Sequence, residues 1–336
     1  MKTKAVVFTE KNKVEIQNVA LSDITDNDVL IDVEYSFISP GTERWCLGGQ
    51  FHYGNKLNYS FPFVPGYQHA GRVKAIGKAV TTIKPGDRVF APFNRFIGIN
   101  SMWGGHCSMS INAESDVIKL PDNVSSLEAA ALVVAQVGCN GGSRPPVEAG
   151  NYAVVLGDGL IGQFVAQTLR SRGAYVIVAG CGDKKRLEYA RKYSCDKTVD
   201  IAEADIRTEI TKLVPNGVNI VVEATGLSEN DNLALDLLAY NGHYVLNGFY
   251  SIEHRIDLNP FSLKEITVYN PASFTRPRLE GTLNLIAAKK LDVKSLITHN
   301  IKSVNAAMIY DDIILAHKEF SLGIAIDWTD DKTYAY

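Results

Sequence analysis

Tyr152-Ala-Val-Val-Leu156 runs straight into Gly157-Asp-Gly159-Leu-Ile-Gly162. Five apolar residues rich in valine suit a parallel strand buried on both faces. The G-x-G-x-x-G turn follows at once, and behind it Ile161, Val165 and Leu169 recur every fourth residue, which is one face of a helix. After Arg172-Gly173 a second apolar run, Tyr175-Val-Ile-Val-Ala179, completes strand, glycine turn, helix, strand. In that context Gly157 permits the tight turn, Gly159 lets a pyrophosphate approach the backbone, and Gly162 lets helix pack on strand. Leu160, Ile161 and Gly162 open the helix, so free N–H groups and the helix dipole form an anion site there. The plain alternative is a glycine-punctuated turn that binds nothing.

Alternation of strand and helix continues outward from this unit. Lys184–Tyr193 and Ile206–Leu213 read as helices, Asn219–Glu223 as a strand, and Asn230–Leu238 as a helix. His243–Leu246 reads as a strand and Ile266–Tyr269 as an edge strand. Upstream the pattern is different. Lys4–Phe8, Lys13–Gln17, Val29–Tyr35, Gly71–Ala75, Arg88–Phe90 and Val117–Leu120 are short strands separated by turn residues such as Pro65-Gly66 and Pro85-Gly86-Asp87. They predict a compact barrel-like domain, with a helix over Ser125–Val134 leading out of it. Near the C-terminus, helices over Leu279–Lys289 and Val304–His317 and strands near Ile297 and Gly323–Asp327 are expected. Thr329–Tyr336 reads as a loose tail.

Bulk properties exclude several function classes. The 336 residues allow about two domains. A net charge of −3 gives no basic surface for nucleic acid, and 46% hydrophobic content is that of an ordinary globular chain. No apolar run reaches membrane-spanning length, and Met1-Lys-Thr-Lys4 lacks the apolar stretch of a signal peptide, so no membrane association is expected and a cytoplasmic setting is. Five scattered cysteines then read as reduced thiols.

Taken together, the chain resembles the medium-chain dehydrogenase/reductase superfamily over essentially its whole length. The residues concerned are Pro65-Gly66 with Gly71-Arg-Val73, Gly77, Pro85-Gly86-Asp87-Arg-Val89, the glycine turn, and Leu296-Ile-Thr-His299. The resemblance implies an α/β protein: a GroES-like β-barrel catalytic domain (1–133 and 274–336) plus a Rossmann doubly wound parallel-sheet domain (134–273). It implies hydride transfer with a nicotinamide cofactor, a small-molecule substrate, and a homodimer or homotetramer. Ile38-Ser39, Gly41-Thr-Glu-Arg44, Val64-Pro-Gly-Tyr67 and Ala70-Gly-Arg-Val73 are more closely similar to the bacteriochlorophyllide hydroxyethyl dehydrogenase branch, which oxidises a secondary alcohol. By resemblance, Ala224-Thr225-Gly226 lines the adenosine side of the cofactor and Asn247-Gly248-Phe249 approaches the nicotinamide.

The same comparison exposes a departure. Zinc-dependent relatives carry Cys-Gly-(Thr/Ser)-Asp in one loop and Gly-His-Glu in another, where this chain reads Ser39-Pro-Gly-Thr-Glu43 and Gly66-Tyr-Gln68. Catalytic zinc takes three protein ligands of the Cys, His or carboxylate kind. With those positions changed, and no four closely spaced cysteines for a structural site, a zinc-free member is expected. A displaced site using Glu43, Cys46 or His69 is the alternative.

Without zinc, another group must stabilise charge on the reacting oxygen. Thr42 stands at the family's proton-relay hydroxyl and Tyr67 replaces a zinc-binding histidine, so both are expected near the nicotinamide. The plain readings are a turn cap for Thr42 and a pocket wall for Tyr67. Glu43 and Arg44 are expected to pair, while Gln68 and His69 either touch substrate or are satisfied locally. Three functions stay open: a zinc-free ketone/secondary-alcohol oxidoreductase, a quinone- or enone-reductase-like enzyme, and a non-catalytic nucleotide-binding protein. The aromatic stretch from Phe51 to Phe63, with Trp45 and Trp103, would suit a bulky or planar substrate or simply pack on itself. For the cofactor, Cys181 and Gly182 fall where NAD-specific relatives put an acid. This neutral loop favours NADP over NAD, with Lys184, Lys185 or Arg186 available to its 2′-phosphate. Asp183 argues the other way.

Overall fold

The computed structural model describes residues 1–53, 56–57, 59–101 and 103–331. They form two compact units. The chain leaves the first after Val133 and re-enters it at Ile297. The sequence reading set the re-entry at residue 274. The structure keeps 274–296 in the second unit because that segment is bonded there: the Gln167 side chain donates to Asp292 O (3.2 Å) and accepts from Asp292 N (2.7 Å).

In the first unit Lys2–Glu10 and Lys13–Leu21 form an antiparallel hairpin within a five-stranded sheet. Asp28–Ile38 is the spine of a seven-stranded sheet, flanked by His69–Ile76 and Gly323–Asp327, both antiparallel to it. Alternation along this spine feeds two cores. Val29, Ile31 and Val33 join Val6, Phe8, Phe63, Val89 and Trp328, while Leu30 joins Leu21, Met109 and Ile111. Each such side chain contributes roughly 1.5–3 kcal/mol on burial. Trp328 is wholly buried and Thr329 bonds to Asp327 (2.8 and 2.6 Å), so the expected loose tail is pinned at its start. Lys332–Tyr336 lie outside the described residues.

In the second unit every strand pair is parallel. The order is Lys197–Asp200, Tyr175–Gly180, Tyr152–Leu156, Val218–Glu223, Leu238–Leu246 and Thr267–Tyr269. Val154, Leu156, Ile177 and Ala179 face one core, whereas Ala153, Val155, Val176 and Val178 face the other. Burial on both faces is why these strands read as unbroken apolar runs. The chain builds outward from Tyr152–Leu156 on one side, then returns to build on the other. The glycine turn therefore leaves the carboxyl end of a strand at the topological switch point. Among the described residues no helix is long and apolar enough to cross a membrane.

Candidate active site

Ser39 precedes the helix Pro40–Leu47, where the sequence reading had only a loop. Pro40 sits at the first helical position, where its missing N–H costs nothing. Ser39 does not cap the helix with its side chain. Instead Glu43 reaches back: its Oε1 accepts from Ser39 N (2.8 Å), and Glu43 N donates to Ser39 O (2.9 Å). The Ser39 hydroxyl is thus left for other work. Thr42 lies half-buried in the first helical turn rather than capping a bend.

Tyr67 follows Gly66, whose φ of +86° and closeness to His106 demand glycine; a Cβ there would meet the imidazole at 2.7 Å. The Tyr67 ring packs edge-on against Trp103, with centroids 4.9 Å apart. Its phenol lies beside the hydroxyls of Ser39 and Thr42. Burial pushes its pKa up, while those two hydroxyls pull it back down. The three hydroxyls, brought together from the start of the helix Pro40–Leu47 and the loop at Tyr67, form a cluster that is protonated and neutral at pH 7.

Behind this cluster stands a buried polar network that sequence reasoning missed. Glu43 and Arg44 do not pair. Arg44 Nη1 meets His317 Nε2 (2.8 Å) in an exposed contact, while Glu43 is wholly buried. The Glu43 carboxylate accepts from His106 Nε2 (3.0 Å) and from the Tyr310 hydroxyl. His106 Nδ1 meets Ser36 Oγ (2.8 Å), which accepts from Trp328 Nε1 (2.9 Å). In the neutral ring the hydrogen therefore sits on Nε2, a tautomer assigned from this network. These partners lie 63 and 267 residues from Glu43 in sequence, so no local pattern announces them. The Tyr310 phenol is raised well above its ordinary pKa by burial, then by the Glu43 charge.

The donor set does not fit a zinc ion. Ser39 and Tyr67 stand at two expected ligand positions, and Gln68 spends its amide on Phe37 O (3.2 Å) and Val133 N (2.9 Å). His69 turns its Nε2 to Ser110 Oγ (2.7 Å) and its pKa is lowered to about 3, by burial and then by His106. The Cys46 thiol is raised by burial and by the Glu43 charge, which opposes the thiolate a metal needs. Among the described residues no group of three His, Cys, Asp or Glu side chains converges on one point. Gln68 is thus satisfied by its neighbours, whereas His69 keeps its Nδ1 buried without a partner among the described residues. Of the aromatic stretch, Phe51 packs on Trp103, and Tyr59 and Phe61 pack on Phe63 inside the first core; Gly54, Asn55 and Asn58 lie outside the described residues.

In the second unit the glycine turn fits a pyrophosphate. Gly157 has φ +117°. Gly159 precedes the helix Leu160–Ser171 with no side chain to cap it, and a Cβ on it would meet nothing within 4 Å. Gly162 packs so closely that a Cβ would lie 2.0 Å from Gly157 O. Neighbouring loops converge here: a Cβ on Gly157 would meet Thr225 Cγ2 at 3.1 Å, and one on Gly248 would meet Gly226 N at 2.4 Å. The Ala224–Gly226 and Asn247–Phe249 segments thus share one surface with the turn. Buried Glu223 fixes it, accepting from Thr225 N (2.7 Å) and Gly226 N (3.0 Å) and from the Tyr250 hydroxyl. Asn247 Nδ2 is buried without a partner, as are both amide atoms of Gln136, which sequence reasoning passed over.

At the end of Tyr175–Gly180, Cys181 and Gly182 are exposed. The basic residues beside them are partly spent: Lys184 pairs with Glu203 (2.8 Å) and Arg186 with Asp183 (3.3 Å), leaving Lys185 exposed. Asp183 caps its helix through Arg186 N (3.1 Å), which ties it to structure.

Residues 25–142 match the profile of the alcohol dehydrogenase GroES-like domain, and residues 161–288 that of zinc-binding dehydrogenases. The two spans together take in well over half of the chain. The chain belongs to the medium-chain dehydrogenase/reductase superfamily. It is 25% identical over 363 residues to an alcohol dehydrogenase of Cupriavidus necator, covering 95% of each chain. Its fold is shared with a dehydrogenase from Sinorhizobium meliloti 1021 bound to NADP (22% identity, 97% and 99% covered, TM-score 0.83). It is shared equally with an alcohol dehydrogenase from Escherichia coli CFT073 complexed with NADH (17% identity, 97% and 99% covered, TM-score 0.83). The chain is an oxidoreductase of the medium-chain alcohol dehydrogenase type. The zinc-binding profile begins at residue 161 and so does not include Ser39, Tyr67 or Gln68.

Proposed function

We propose that this dehydrogenase transfers a hydride between a nicotinamide dinucleotide and a secondary alcohol or ketone without zinc. The observation that carries the reading is the cluster of Ser39, Thr42 and Tyr67 hydroxyls where zinc relatives keep metal ligands and the relay hydroxyl. The likeness to the bacteriochlorophyllide hydroxyethyl dehydrogenase branch supports a secondary alcohol but not a particular substrate. The described aromatics pack on one another, so they lend no weight to a bulky one.

The dinucleotide, when bound, supplies or accepts the hydride. Gly157, Gly159 and the opening residues Leu160, Ile161 and Gly162 hold the pyrophosphate at the helix N-terminus. Tyr67 is the proposed catalytic donor: its O–H meets the carbonyl oxygen as charge develops and gives it the proton. As the phenol gives up its proton, Thr42, half-exposed, passes one from solvent to the Tyr67 oxygen, so no phenolate accumulates in the site. In the alcohol-oxidising direction the same path runs backwards. A neutral donor in a buried site suits this role, because it stabilises charge in the transition state without itself costing a buried charge.

Losing one oxyanion donor typically costs about 10²–10³ in kcat, or roughly 3–4 kcal/mol. Tyr67→Phe is therefore expected to slow single-turnover reduction of a ketone by about that factor while cofactor affinity persists, with a smaller loss in Thr42→Ala. Unchanged rates in Tyr67→Phe would return Tyr67 to pocket wall. Saturation of C=C rather than C=O in a conjugated ketone would then point to the enone-reductase reading. A homodimer or homotetramer belongs to the same proposal. Thr267–Tyr269 is one of the two outer strands of its sheet, with one edge unpaired among the described residues, and light scattering measures the mass.

A further inference from the structure

Asp158, the second residue of the glycine turn, is nine-tenths buried, yet its Oδ2 accepts no hydrogen bond. Its carboxylate lies flat against Gly180, the last residue of Tyr175–Gly180; a Cβ there would come within 2.2 Å of Oδ2. Turn and strand end are laced together at this point, since Gly157 N donates to Ala179 O (2.8 Å). Gly180, Cys181 and Gly182 put little side chain over the carboxylate, which faces the end of the strand where a dinucleotide's adenosine ribose is held. A buried, unpaired carboxylate oxygen is costly and calls for donors. The ribose 2′- and 3′-hydroxyls are two such donors, whereas a 2′-phosphate would add like charge.

Surrounding charges strengthen the preference. Asp183 and Asp200 lie close enough to raise the Asp158 pKa, burial being the largest cause, and Arg186 is the one cation acting against it. Arg186 also faces Asp183, and Lys184 is held by Glu203. We propose that Asp158 binds the adenosine ribose hydroxyls of NAD(H) and repels the 2′-phosphate of NADP(H), making the protein NAD-selective. This rests on the dinucleotide reading above and reverses the preference for NADP that the neutral 181–182 loop suggested from sequence. The acid arrives from the glycine turn and not from the strand end.

The test is equilibrium titration of the full-length protein with NADH and with NADPH, followed by nucleotide fluorescence, in wild type and Asp158→Asn. Like-charge exclusion predicts NADH binding at least about 100-fold tighter than NADPH in wild type. In Asp158→Asn the ratio is expected to collapse by tenfold or more, chiefly through gained NADPH affinity as Arg186 is released to the phosphate. Competition by 5′-AMP over 2′,5′-ADP in wild type would locate the preference on the adenosine half. Wild type binding NADPH as tightly as NADH would overturn the assignment whether or not the variant folds, as would an unchanged ratio in a variant with wild-type melting. Binding of neither nucleotide would instead sink the dinucleotide reading, and this assignment with it.

Discussion

A phenol in water loses its proton near pH 10, and burial of Tyr67 moves that point further up, so at neutral pH this side chain keeps its proton and has it to donate. What makes it a candidate donor is company: the Ser39 and Thr42 hydroxyls beside it, at the start of a helix whose own buried Glu43 holds Ser39 N. His69, the first residue of the strand that follows, shows the opposite outcome for a polar residue. Its pKa is lowered to about 3 by burial and then by His106, while an unfolded histidine titrates near 6.5. The unfolded chain therefore binds the proton first, so this contribution to stability is full above about pH 6.5 and falls as pH drops towards 3. The slope is at most about 1.4 kcal/mol per pH unit. Urea midpoints at pH 7 and 4.5 check this: His69→Gln should be weaker at pH 7 but lose less on acidification. Parallel losses in both proteins would show that another group carries the acid sensitivity.

At the scale of elements, the glycine turn separates binding from folding. A side chain on Gly159 enters open space, so Gly159→Val should fold and melt like wild type while losing cofactor affinity. Gly162→Ala should do the reverse first, since its Cβ would strike Gly157 O, a backbone atom, at 2.0 Å; overpacking of this kind costs about 1–3 kcal/mol or more. Thermal melts and nucleotide titration of both variants separate the two effects, and retained affinity in folded Gly159→Val would count against the placement of the pyrophosphate. This turn was legible in the sequence because strand, glycines and helix follow one another within 30 residues. Pro40–Leu47 was not, because Pro40-Gly41 reads as turn punctuation and the stabilising Glu43 contacts come from His106 and Tyr310. Val304–His317 was read as one helix but breaks into short pieces of different pitch, Ala306–Ile309 and a wider turn over Tyr310–Leu315, where Tyr310 is held towards Glu43. Ser125–Val134 likewise divides at Ala131, between a capped turn and the helix Leu132–Ser143.

Over the whole molecule, the two-unit plan follows from a switch in period, from short alternating strands to buried apolar runs alternating with helices. The point of return to the first unit was harder to read, because Arg276–Ala287 carries no mark of which core it serves. Cysteine exposure offers a check on the assembled chain: Cys181 is exposed, whereas Cys46, Cys107, Cys139 and Cys195 are buried. Native protein should thus yield one fast thiol to a disulfide reagent and the other four only on unfolding; a second fast thiol would mean a looser core. In the proposed reaction hydroxyls do the work of a zinc ion. The most direct measurement of this is ketone turnover in protein dialysed exhaustively against a strong chelator, with zinc per chain determined on the same sample. Full activity in protein that is essentially free of zinc is the predicted result. Activity that falls in proportion to zinc removed, and returns when zinc is restored, would contradict it.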